Sequence, residues 1–345
     1  MRAEIGIDLY RPGDEVPILD LFERVFNKKR NEAYWRWENL GNPRGASIFS
    51  LVKEDGRVHG HLSLNASLFT IQDREIPAGQ RMNFMLDASY RQKGFYKGMF
   101  EKLVQQARDR GWAFTFGFPN AAALKALQKI QPAVEVAQIP RFIKFYRGEP
   151  IASRKIRQPI LSKTAGLGLD VLLKIKNHRK AATENVVALE RFDERFDRLW
   201  QQVSPSLTIA AVRDQAYLNW RYIESPVDYR VLAYIENEAV LGYVVLLQDA
   251  EGMGHIVDLL ALEEKRVVPS LLSAVDAYMR PRCDMLSCWC LDQGQVSRHL
   301  SRFGFFNLPS LNTLAVSWIS GTEELAQVLW DKNNWYVMIG DSDYV

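Results

Sequence analysis

The chain has 345 residues, of which 47% are hydrophobic and 25% are charged, and its formal net charge is +3. This composition excludes a disordered chain, and no apolar run approaches the length that crosses a membrane. The length suits two domains better than one core. Because the charged residues Arg2 and Glu4 lead directly into an alternating strand pattern, we expect no secretory signal and a cytoplasmic location, with peripheral attachment to the inner membrane face left open.

An early helical segment recurs later in the chain. Residues 30–37 (Arg-Asn-Glu-Ala-Tyr-Trp-Arg-Trp) match residues 213–220 (Arg-Asp-Gln-Ala-Tyr-Leu-Asn-Trp), with Arg, Ala, Tyr and Trp identical. Each copy is followed by a predicted hairpin. The predicted hairpins comprise strands 47–53 and 57–64 around Asp55-Gly56, and strands 229–234 and 239–247 around Glu236-Asn237. A match that includes its downstream hairpin indicates a duplicated unit.

A cationic turn that contains Gly94 joins a predicted strand, residues 82–87, to a predicted helix, residues 94–110. The first amides of a helix lack intrahelical partners and the helix dipole is positive there, so the turn predicts an anion site. The surrounding cations are Arg91, Lys93 and Lys97. The turn has neither the Walker pattern nor the dinucleotide-binding pattern. The alternative is an ordinary strand-turn-helix with solvated lysines.

The run Arg91-Gln92-Lys93-Gly94-Phe95-Tyr96 resembles the pyrophosphate loop of the GNAT superfamily of N-acetyltransferases, whose pattern is Arg/Gln-x-x-Gly-x-Gly/Ala. Tyr96 departs from it, because a small residue is usual there. The next predicted strand and helix, residues 112–118 and 120–130, follow the family's order. The resemblance implies a mixed α/β fold of tandem GNAT-like units, each a mixed central sheet flanked by helices.

The resemblance also implies three segments in the chain. They are an N-terminal GNAT domain with the acyl-CoA loop at residues 1–145, a basic linker at residues 146–182, and a degenerate second GNAT-like domain with a C-terminal tail at residues 183–345. In the second copy, Glu263 and Glu264 replace the glycine loop before a helix predicted at residues 270–279. We therefore expect this copy to have lost coenzyme A binding. Its alternative role is substrate binding.

Acetyl-CoA or another acyl-CoA is the cosubstrate that the resemblance implies. A backbone amide of the strand before the loop would hold the thioester carbonyl, and the loop would hold the pyrophosphate. The expected contacts are Met85, Leu86, Arg91, Gln92, Lys93, Gly94, Phe95, Tyr96, Lys97 and Asn120. We expect no metal, because the three cysteines lack zinc-like spacing and are better explained as buried thiols.

Acyl transfer to an amine needs a proton acceptor for the amine and a proton donor for the leaving thiolate. The family often places the donor Tyr seven residues after an Asn, but the seventh residue after Asn120 is Leu127. Tyr96 and Tyr344 are substitutes by chemistry. The candidate bases are Asp87, His61, His59 and the carboxylate of Val345, and Asn83 and Tyr344 are expected substrate contacts.

The C-terminal tail, residues 335–345, is rich in aromatic and acidic residues. In a tandem subclass that this chain resembles, the mycobacterial enhanced-intracellular-survival acetyltransferases, the terminal carboxylate projects into the active site. We therefore expect the tail to pack on the acceptor site of the first copy, where Val345 would act.

Residues 141–180 contain eleven Lys or Arg and two acids. Such a concentration of charge predicts a local anionic partner, a membrane surface or a phosphate, and the alternative is a solvated linker. We do not expect nucleic acid as the partner, because no aromatic residue follows Tyr146 in this segment. The sequence leaves the oligomeric state open.

The predicted function is acyl transfer from acyl-CoA to an amine, as found in a small molecule or an amino sugar. One alternative is a non-catalytic protein that binds acyl-CoA or an anionic surface. Another is a transferase resembling the tandem GNAT enzymes that use aminoacyl-tRNA to extend cell-wall precursors. The glycine of the loop favours coenzyme A.

Overall fold

The computed structural model describes residues 5–91, 93–147, 180–292, 296–309 and 312–344. The helices of these residues are α1 (Glu15–Phe26), α2 (Glu32–Leu40), α3 (Phe95–Asp109), α4 (Ala121–Gln128), α5 (Glu194–Val203), α6 (Gln215–Leu218), α7 (Glu264–Met279), α8 (Ser297–Arg302) and α9 (Glu323–Trp330). The strands are β1 (Gly6–Leu9), β2 (Ile48–Glu54), β3 (Arg57–Ile71), β4 (Arg74–Leu86), β5 (Phe114–Gly117), β6 (Val134–Gln138), β7 (Arg141–Phe145), β8 (Val186–Leu189), β9 (Ile209–Ala211), β10 (Arg230–Glu236), β11 (Ala239–Gln248), β12 (Gly254–Ala261), β13 (Met285–Leu291), β14 (Phe306–Leu308), β15 (Thr313–Trp318) and β16 (Trp335–Met338).

The chain divides into two compact units. The first unit comprises Met1–Gln138, Glu224–Pro226 and Asn312–Lys332, and the second unit comprises Ile139–Ile223, Val227–Leu311 and Asn333–Val345. Each unit has a mixed sheet flanked by helices, so the predicted fold class is confirmed. No helix of the described residues is long and apolar enough to cross a membrane.

The two sheets have the same strand plan. In the first unit the order is β1-β2-β3-β4-β5-β15-β6, with β4 and β5 parallel and the other pairs antiparallel. In the second unit the order is β8-β10-β11-β12-β13-β7-β14, with β12 and β13 parallel. The strand β16 additionally pairs with β13 and with β9.

The units exchange one strand each. The strand β15, late in the chain, lies between β5 and β6 of the first unit. The strand β7, which follows β6 in sequence, lies between β13 and β14 of the second unit. This exchange explains why the compact units differ from the predicted segments 1–145 and 183–345. Local sequence patterns identify strands but do not show to which sheet each strand belongs.

The repeated sequence segment begins a helix in both units, and the two helices start in the same way. The side chain of Asn31 accepts a hydrogen bond from the Ala33 amide at 2.7 Å before α2, and that of Asp214 accepts one from the Tyr217 amide at 2.8 Å before α6. Asn31 and Asp214 occupy matching positions of the repeat.

Both predicted hairpins form. Asp55 and Gly56 have φ angles of 50° and 75°, and the second turn is at Asn237 and Glu238, with φ angles of 48° and 65°. The predicted second turn, Glu236-Asn237, was therefore placed one residue too early. The left-handed conformation falls on Glu238, a residue type that gives no turn signal.

The central sheet of the first unit is covered on both faces. Alternate residues of β3 face opposite sides, so Leu62 and Leu64 pack with α3 while His61 and Ser63 face the side of α1 and α2. The cluster beneath α3 includes Ile48, Leu62, Leu64, Met99, Phe100 and Leu103, and the cluster beneath α1 and α2 includes Ile18, Leu21, Trp35, Phe49, Leu51 and Met85.

Three sequence predictions about the second unit have clear outcomes. The helix predicted to start at Ser270 is α7 and begins six residues earlier, at Glu264, with Pro269 inside it. The proline suggested a helix start because it cannot donate a backbone hydrogen bond. The predicted strand 285–291 is confirmed as β13. The three cysteines are free and buried, as predicted.

Candidate active site in the first unit

A bulge interrupts β4 near its end. His61 of β3 pairs with Met85, but Ser63 pairs with Met82, so two residues of β4, Asn83 and Phe84, stand opposite one residue of β3. Asn83 has a φ angle of 50°, in the left-handed region. A bulge of this kind turns backbone groups away from the ladder. The predicted carbonyl-binding residues Met85 and Leu86 follow it directly.

The bulge lies where β4 and β5 separate. The parallel pairing of these strands covers Ala78–Gln80 and Phe114–Phe116 and goes no further. From Arg81 to Leu86, β4 therefore has no strand partner on its β5 side. The result is a wedge-shaped groove, lined on one side by backbone amides and carbonyls that an extended ligand can pair with.

The loop after β4 is anchored by Asp87. Its carboxylate accepts a hydrogen bond from Arg24 Nη2 at 3.0 Å and contacts His59 Nδ1 at 2.9 Å, and its amide donates to the His59 carbonyl at 2.8 Å. The His59 ring stacks on Tyr90 with centroids 4.4 Å apart. Partial burial would raise the pKa of Asp87, but the hydrogen bonds and charges of Arg24 and His59 outweigh it and lower that pKa. The carboxylate of Asp87 is thus already engaged by Arg24 and His59.

The helix α3 starts directly after Gly94. This glycine has a φ angle of 80°, and no atom lies within 4 Å of where a Cβ would stand. No acidic residue occupies the first turn of α3. The Lys93 ammonium lies 5.1 Å from the centre of the Tyr90 ring, and Lys97 is largely exposed. Free amides, an open approach and cations together suit a phosphate group.

Arg91, Gln92, Phe95 and Asn120 are the other residues predicted to contact coenzyme A. Arg91 donates from Nε to the Leu86 carbonyl at 3.3 Å, while Gln92 lies outside the described residues. Phe95 packs with the core beneath α3. Asn120 is the residue before α4, and its side-chain oxygen accepts from the Ala123 amide at 3.0 Å.

Tyr96 lies on the first turn of α3, beside the groove. Its ring contacts that of Phe84, with centroids 4.3 Å apart. Burial raises the pKa of Tyr96, and the charge of Arg81 acts in the opposite direction. The hydroxyl therefore stays protonated at neutral pH and can serve as a proton donor. Phe84, on the bulge itself, is 43% exposed.

His61 is buried next to the bulge with one free ring nitrogen. Its Nδ1 lies 2.8 Å from the carbonyl oxygen of Asn83, and a carbonyl can only accept, so Nδ1 carries the proton. The lone pair is then on Nε2, which is buried and has no hydrogen-bond partner within the described part of the chain. Burial lowers the pKa of His61 to about 4, although the hydrogen bond with Asn83 opposes this change. The imidazole is therefore neutral at physiological pH.

An acidic side chain that sequence reasoning missed completes this cluster. Glu38 of α2 is buried, and its Oε2 accepts from Arg30 Nη1 at 2.9 Å and from Asn83 Nδ2 at 3.3 Å. The available signals were the Arg30 of the repeat and the polar residues His61, Ser63 and Asn65, which alternate along one face of β3. The structure thus brings His61 and Asn83 together with Glu38.

The matching groove of the second unit is filled by the C-terminal tail. The strands β12 and β13 pair only at Gly254–His255 with Leu286–Ser287. Beyond that point β16 pairs with β13, through Val337 and Met338. The Tyr336 hydroxyl donates to the carbonyl of Leu259 in β12. A Cβ on Gly340 would stand 3.1 Å from the Val257 carbonyl oxygen.

A buried ion cluster fixes the tail in this position. Asp341 accepts from Arg213 Nη2 at 2.8 Å, and Asp258 of β12 accepts from Arg213 Nε at 3.2 Å. Arg213 and Asp258 are fully buried. The expected packing of the tail on the first copy is corrected accordingly. Trp335 and Tyr336 are buried, Tyr344 is half exposed, and the carboxylate of Asp341 is paired with Arg213.

Tyr344 and Val345 are the two terminal residues with predicted roles. Tyr344 belongs to the second unit, where its ring contacts Trp289 with centroids 6.1 Å apart. Val345 lies outside the described residues.

The basic segment is described only at its ends, because residues 148–179 lie outside the described residues. Its early cations belong to the sheet of the second unit. Lys144 of β7 is buried and ion-paired with Asp276, and Arg147 pairs with Asp284 at 2.9 Å. These two charges are already compensated and contribute little to an anionic-surface site.

No group of three or more His, Cys, Asp or Glu that could hold a metal occurs in the described ranges. The groove of the first unit is instead built from backbone groups, cations and aromatic rings. The mixed sheet with its bulged strand, its diverging parallel pair and the helix start after Gly94 agrees with the GNAT-like fold that the resemblance implied.

Comparison with known proteins agrees with this class. Residues 7–125 match the family model described as acetyltransferase (GNAT) domain. The resemblance found in the loop is confirmed. No protein of curated function matches the chain in sequence at a significant level.

Solved structures share the fold across most of the chain. A probable N-acyltransferase from Enterococcus faecalis V583 has a TM-score of 0.68 at 10% identity, covering 94% of this chain and 74% of that one. A GCN5-related N-acetyltransferase from Anabaena variabilis ATCC 29413 has a TM-score of 0.66 at 12% identity, covering 92% and 73%. Saccharomyces cerevisiae N-myristoyltransferase, with bound myristoyl-CoA, has a TM-score of 0.61 at 9% identity, covering 90% and 78%.

Proposed function

We propose that the first unit transfers an acyl group from acyl-CoA to an amine carried by a small molecule or an amino sugar. One observation carries the proposal: β4 is bulged just beyond the point where it stops pairing with β5, and it leads through the Gly94 turn into the start of α3. The distant structural neighbours include an enzyme whose structure was solved with myristoyl-CoA, which supports a thioester cosubstrate.

The residues present fit such a cosubstrate. The amides at the start of α3, with Arg91, Lys93 and Lys97 around Gly94, suit a pyrophosphate. The unpaired edge of β4 at Met85 and Leu86 suits an extended chain that carries amide groups. Phe95 and Tyr96 form the beginning of α3 beside it, and Asn120 begins the helix beyond β5. Gln92 belongs to the same sequence pattern.

Acyl-CoA would supply the acyl group as a thioester: the amine nitrogen forms the new C–N bond, the C–S bond breaks, and the proton lost by the amine is balanced by one taken up by sulfur. The bulge amides would stabilise negative charge on the carbonyl oxygen. Because the thioester is already activated, alignment and proton transfer are the main tasks left to the protein.

We assign proton acceptance to His61. Its neutral imidazole has a free lone pair at Nε2, beside the bulge, whereas the carboxylate of Asp87 is held by Arg24 and His59. Asn83 and Glu38 would orient the acceptor amine through their polar groups. Tyr96 would return a proton to sulfur, because its raised pKa keeps the hydroxyl protonated. Asp87 then positions the loop.

The second unit is not proposed to bind coenzyme A. Its groove contains residues of the tail, and its helix α7 begins at Glu263 and Glu264, where two carboxylates oppose a phosphate. We therefore expect one coenzyme A per chain. Neither Tyr344 nor Val345 is required for this proposal.

Titration calorimetry with acetyl-CoA, followed by assays of free thiol with a panel of amines, tests the proposal. The expected result is a stoichiometry of one and thiol release that depends on both the cosubstrate and an amine. Binding without release for any amine would favour the non-catalytic alternative. A stoichiometry of two would contradict the asymmetry between the units.

A further inference from the structure

Arg81 stands at the narrow end of the groove in the first unit. It directly follows Gln80, the last residue of β4 that pairs with β5. Its side chain passes over Gly117, where a Cβ would come within 3.4 Å of the Arg81 Cβ. Leu64, its partner across β3, faces α3, so Arg81 lies on the same side of the sheet as the start of α3.

The guanidinium is held in place by uncharged groups alone. Nη1 donates to Thr115 Oγ1 at 2.7 Å and to Ser317 Oγ at 3.2 Å, and Nη2 donates to the Ala315 carbonyl at 2.6 Å. These bonds come from β5 and the exchanged strand β15. They fix the plane of the guanidinium and leave the Nε proton and one Nη2 proton without a partner in the described residues.

A counter-charge for Arg81 is absent from the described ranges, since none of their carboxylates lies within ion-pair distance of it. Burial lowers the pKa of Arg81 to about 10, and the nearby Tyr96 hydroxyl supplies no negative charge at neutral pH because its own pKa is raised. Arg213, a fully buried arginine of the second unit, has two carboxylates. Arg81 is only partly buried, but a cation that is partly withdrawn from water and has no counter-charge still favours an anionic ligand.

The spacing from the bulge indicates where that anion belongs. Arg81 and Asn83 are two residues apart on one strand, which corresponds to ~6.6 Å. An extended four-carbon diacid spans ~4 Å between its end carbons, and a charge-assisted hydrogen bond adds ~2.8 Å. An acyl chain whose carbonyl lies at the bulge and which runs along β4 would therefore place a terminal carboxylate level with Arg81 on that strand.

We propose that Arg81 binds the distal carboxylate of a dicarboxylic acyl group, of succinyl length, carried by the CoA thioester. The inference rests on the proposed function and narrows its cosubstrate. The planar fork of an arginine suits a carboxylate through two parallel hydrogen bonds, and here the two free protons are on adjacent nitrogens. An acetyl group would leave Arg81 uncompensated.

Calorimetry with succinyl-CoA and butyryl-CoA tests this inference, because the two thioesters have the same carbon count and differ in the carboxylate. The wild-type chain should bind succinyl-CoA at least about tenfold more tightly. Arg81→Gln should bring the ratio of the two affinities close to one, and Arg81→Lys should retain part of the preference because it keeps the charge but not the fork.

The outcomes separate the two proposals. Equal wild-type affinities for the two thioesters, or tighter binding of butyryl-CoA, would overturn the role of Arg81 while leaving acyl-CoA binding intact. Failure of both thioesters to bind would instead overturn the proposed function. The wild-type comparison needs no substitution, so it remains decisive even if loss of the contacts to Thr115, Ser317 and Ala315 prevents a variant from folding.

Discussion

The two units place the same strands around two very different clusters. In the first unit, His61 follows Gly60 on β3 and presents a free ring nitrogen beside the bulge. In the second unit, Tyr243 follows Gly242 on β11 and donates its hydroxyl proton to Asp258 at 2.8 Å. The equivalent groove is open to a ligand in one unit and occupied by the chain's own tail in the other.

The first arginine of the repeat, Arg30 or Arg213, illustrates this difference. Arg30 pairs with Glu38, eight residues further along the chain, whereas the matching Arg213 links Asp258 of β12 to Asp341 of the tail. The same residue thus orders a site in one copy and closes it in the other. The two units share a strand plan, and they differ in the residues that occupy the gap where the parallel strands stop pairing.

The largest expected effect contrasts these two arginines. Arg213→Met leaves two buried carboxylates without a cation and should lower the free energy of unfolding by ~3–5 kcal/mol. Arg30→Met should cost about 1 kcal/mol, because Arg30 is partly exposed and Glu38 keeps amide donors from Asn39 and Asn83. Urea unfolding measures both. Equal losses would mean that the two clusters are equivalent.

The pH dependence of stability tests the burial of His61. Its pKa is about 4 in the folded chain and ~6.5 in the unfolded chain, so between these values the unfolded state binds more protons. The contribution of His61 to the free energy of unfolding is therefore fully present above pH ~6.5. It falls by on the order of 3 kcal/mol as the pH approaches 4.

The control for this effect is His61→Gln, which cannot take up the proton. The difference in unfolding free energy between pH 7 and pH 4.5 should be smaller in this variant than in the wild-type chain. An identical pH dependence in the two proteins would show that His61 does not titrate in this range.

Turnover measurements compare His61, which has a ring nitrogen without a partner in the described residues, with His255, whose two ring nitrogens both have partners. His61→Gln should lower kcat by ~10²-fold while acyl-CoA still binds, because the amine loses its proton acceptor. His255 is the matched control, since its ring nitrogens contact Asp249 at 2.9 Å and Ser287 at 2.8 Å within the second unit. His255→Gln should keep wild-type turnover. Similar losses in both variants would remove His61 from the reaction.

Much of the fold followed from local patterns. The hairpin turn at Asp55-Gly56, the strand of the cysteines and the helix after Gly94 depend on neighbouring residues, and all three were predictable. The exchange of β7 and β15 was not, because it depends on which sheet offers a gap between two strands. The bulge at Asn83 was also hidden, since an alternating strand and a bulged one have nearly the same composition.

The candidate site was predictable where chemistry is local. The loop was recognised from Gly94 and its cations, but its anchor, the contact of Asp87 with Arg24, joins residues far apart in sequence. Glu38 was missed because one acid on an amphipathic helix carries no signal until β3 and β4 bring His61 and Asn83 beside it. The tail was expected on the wrong copy because its aromatic residues require burial without specifying a partner.

The smallest expected effect concerns the two glycines at the ends of α3. Gly94 and Gly111 have φ angles of 80° and 72°, and neither has an atom within 4 Å of a built Cβ. Replacing either with Asp therefore introduces similar backbone strain. Only Gly94→Asp puts a carboxylate at the start of α3. The second unit already has Glu263 and Glu264 at the start of α7.

Gly94→Asp should weaken coenzyme A binding by more than tenfold, ~1.4 kcal/mol, and Gly111→Asp should bind about as tightly as the wild-type chain. Calorimetry on the folded variants decides between charge and strain: equal weakening by both would attribute the effect to backbone strain, and unchanged binding by Gly94→Asp would remove the pyrophosphate from this helix start.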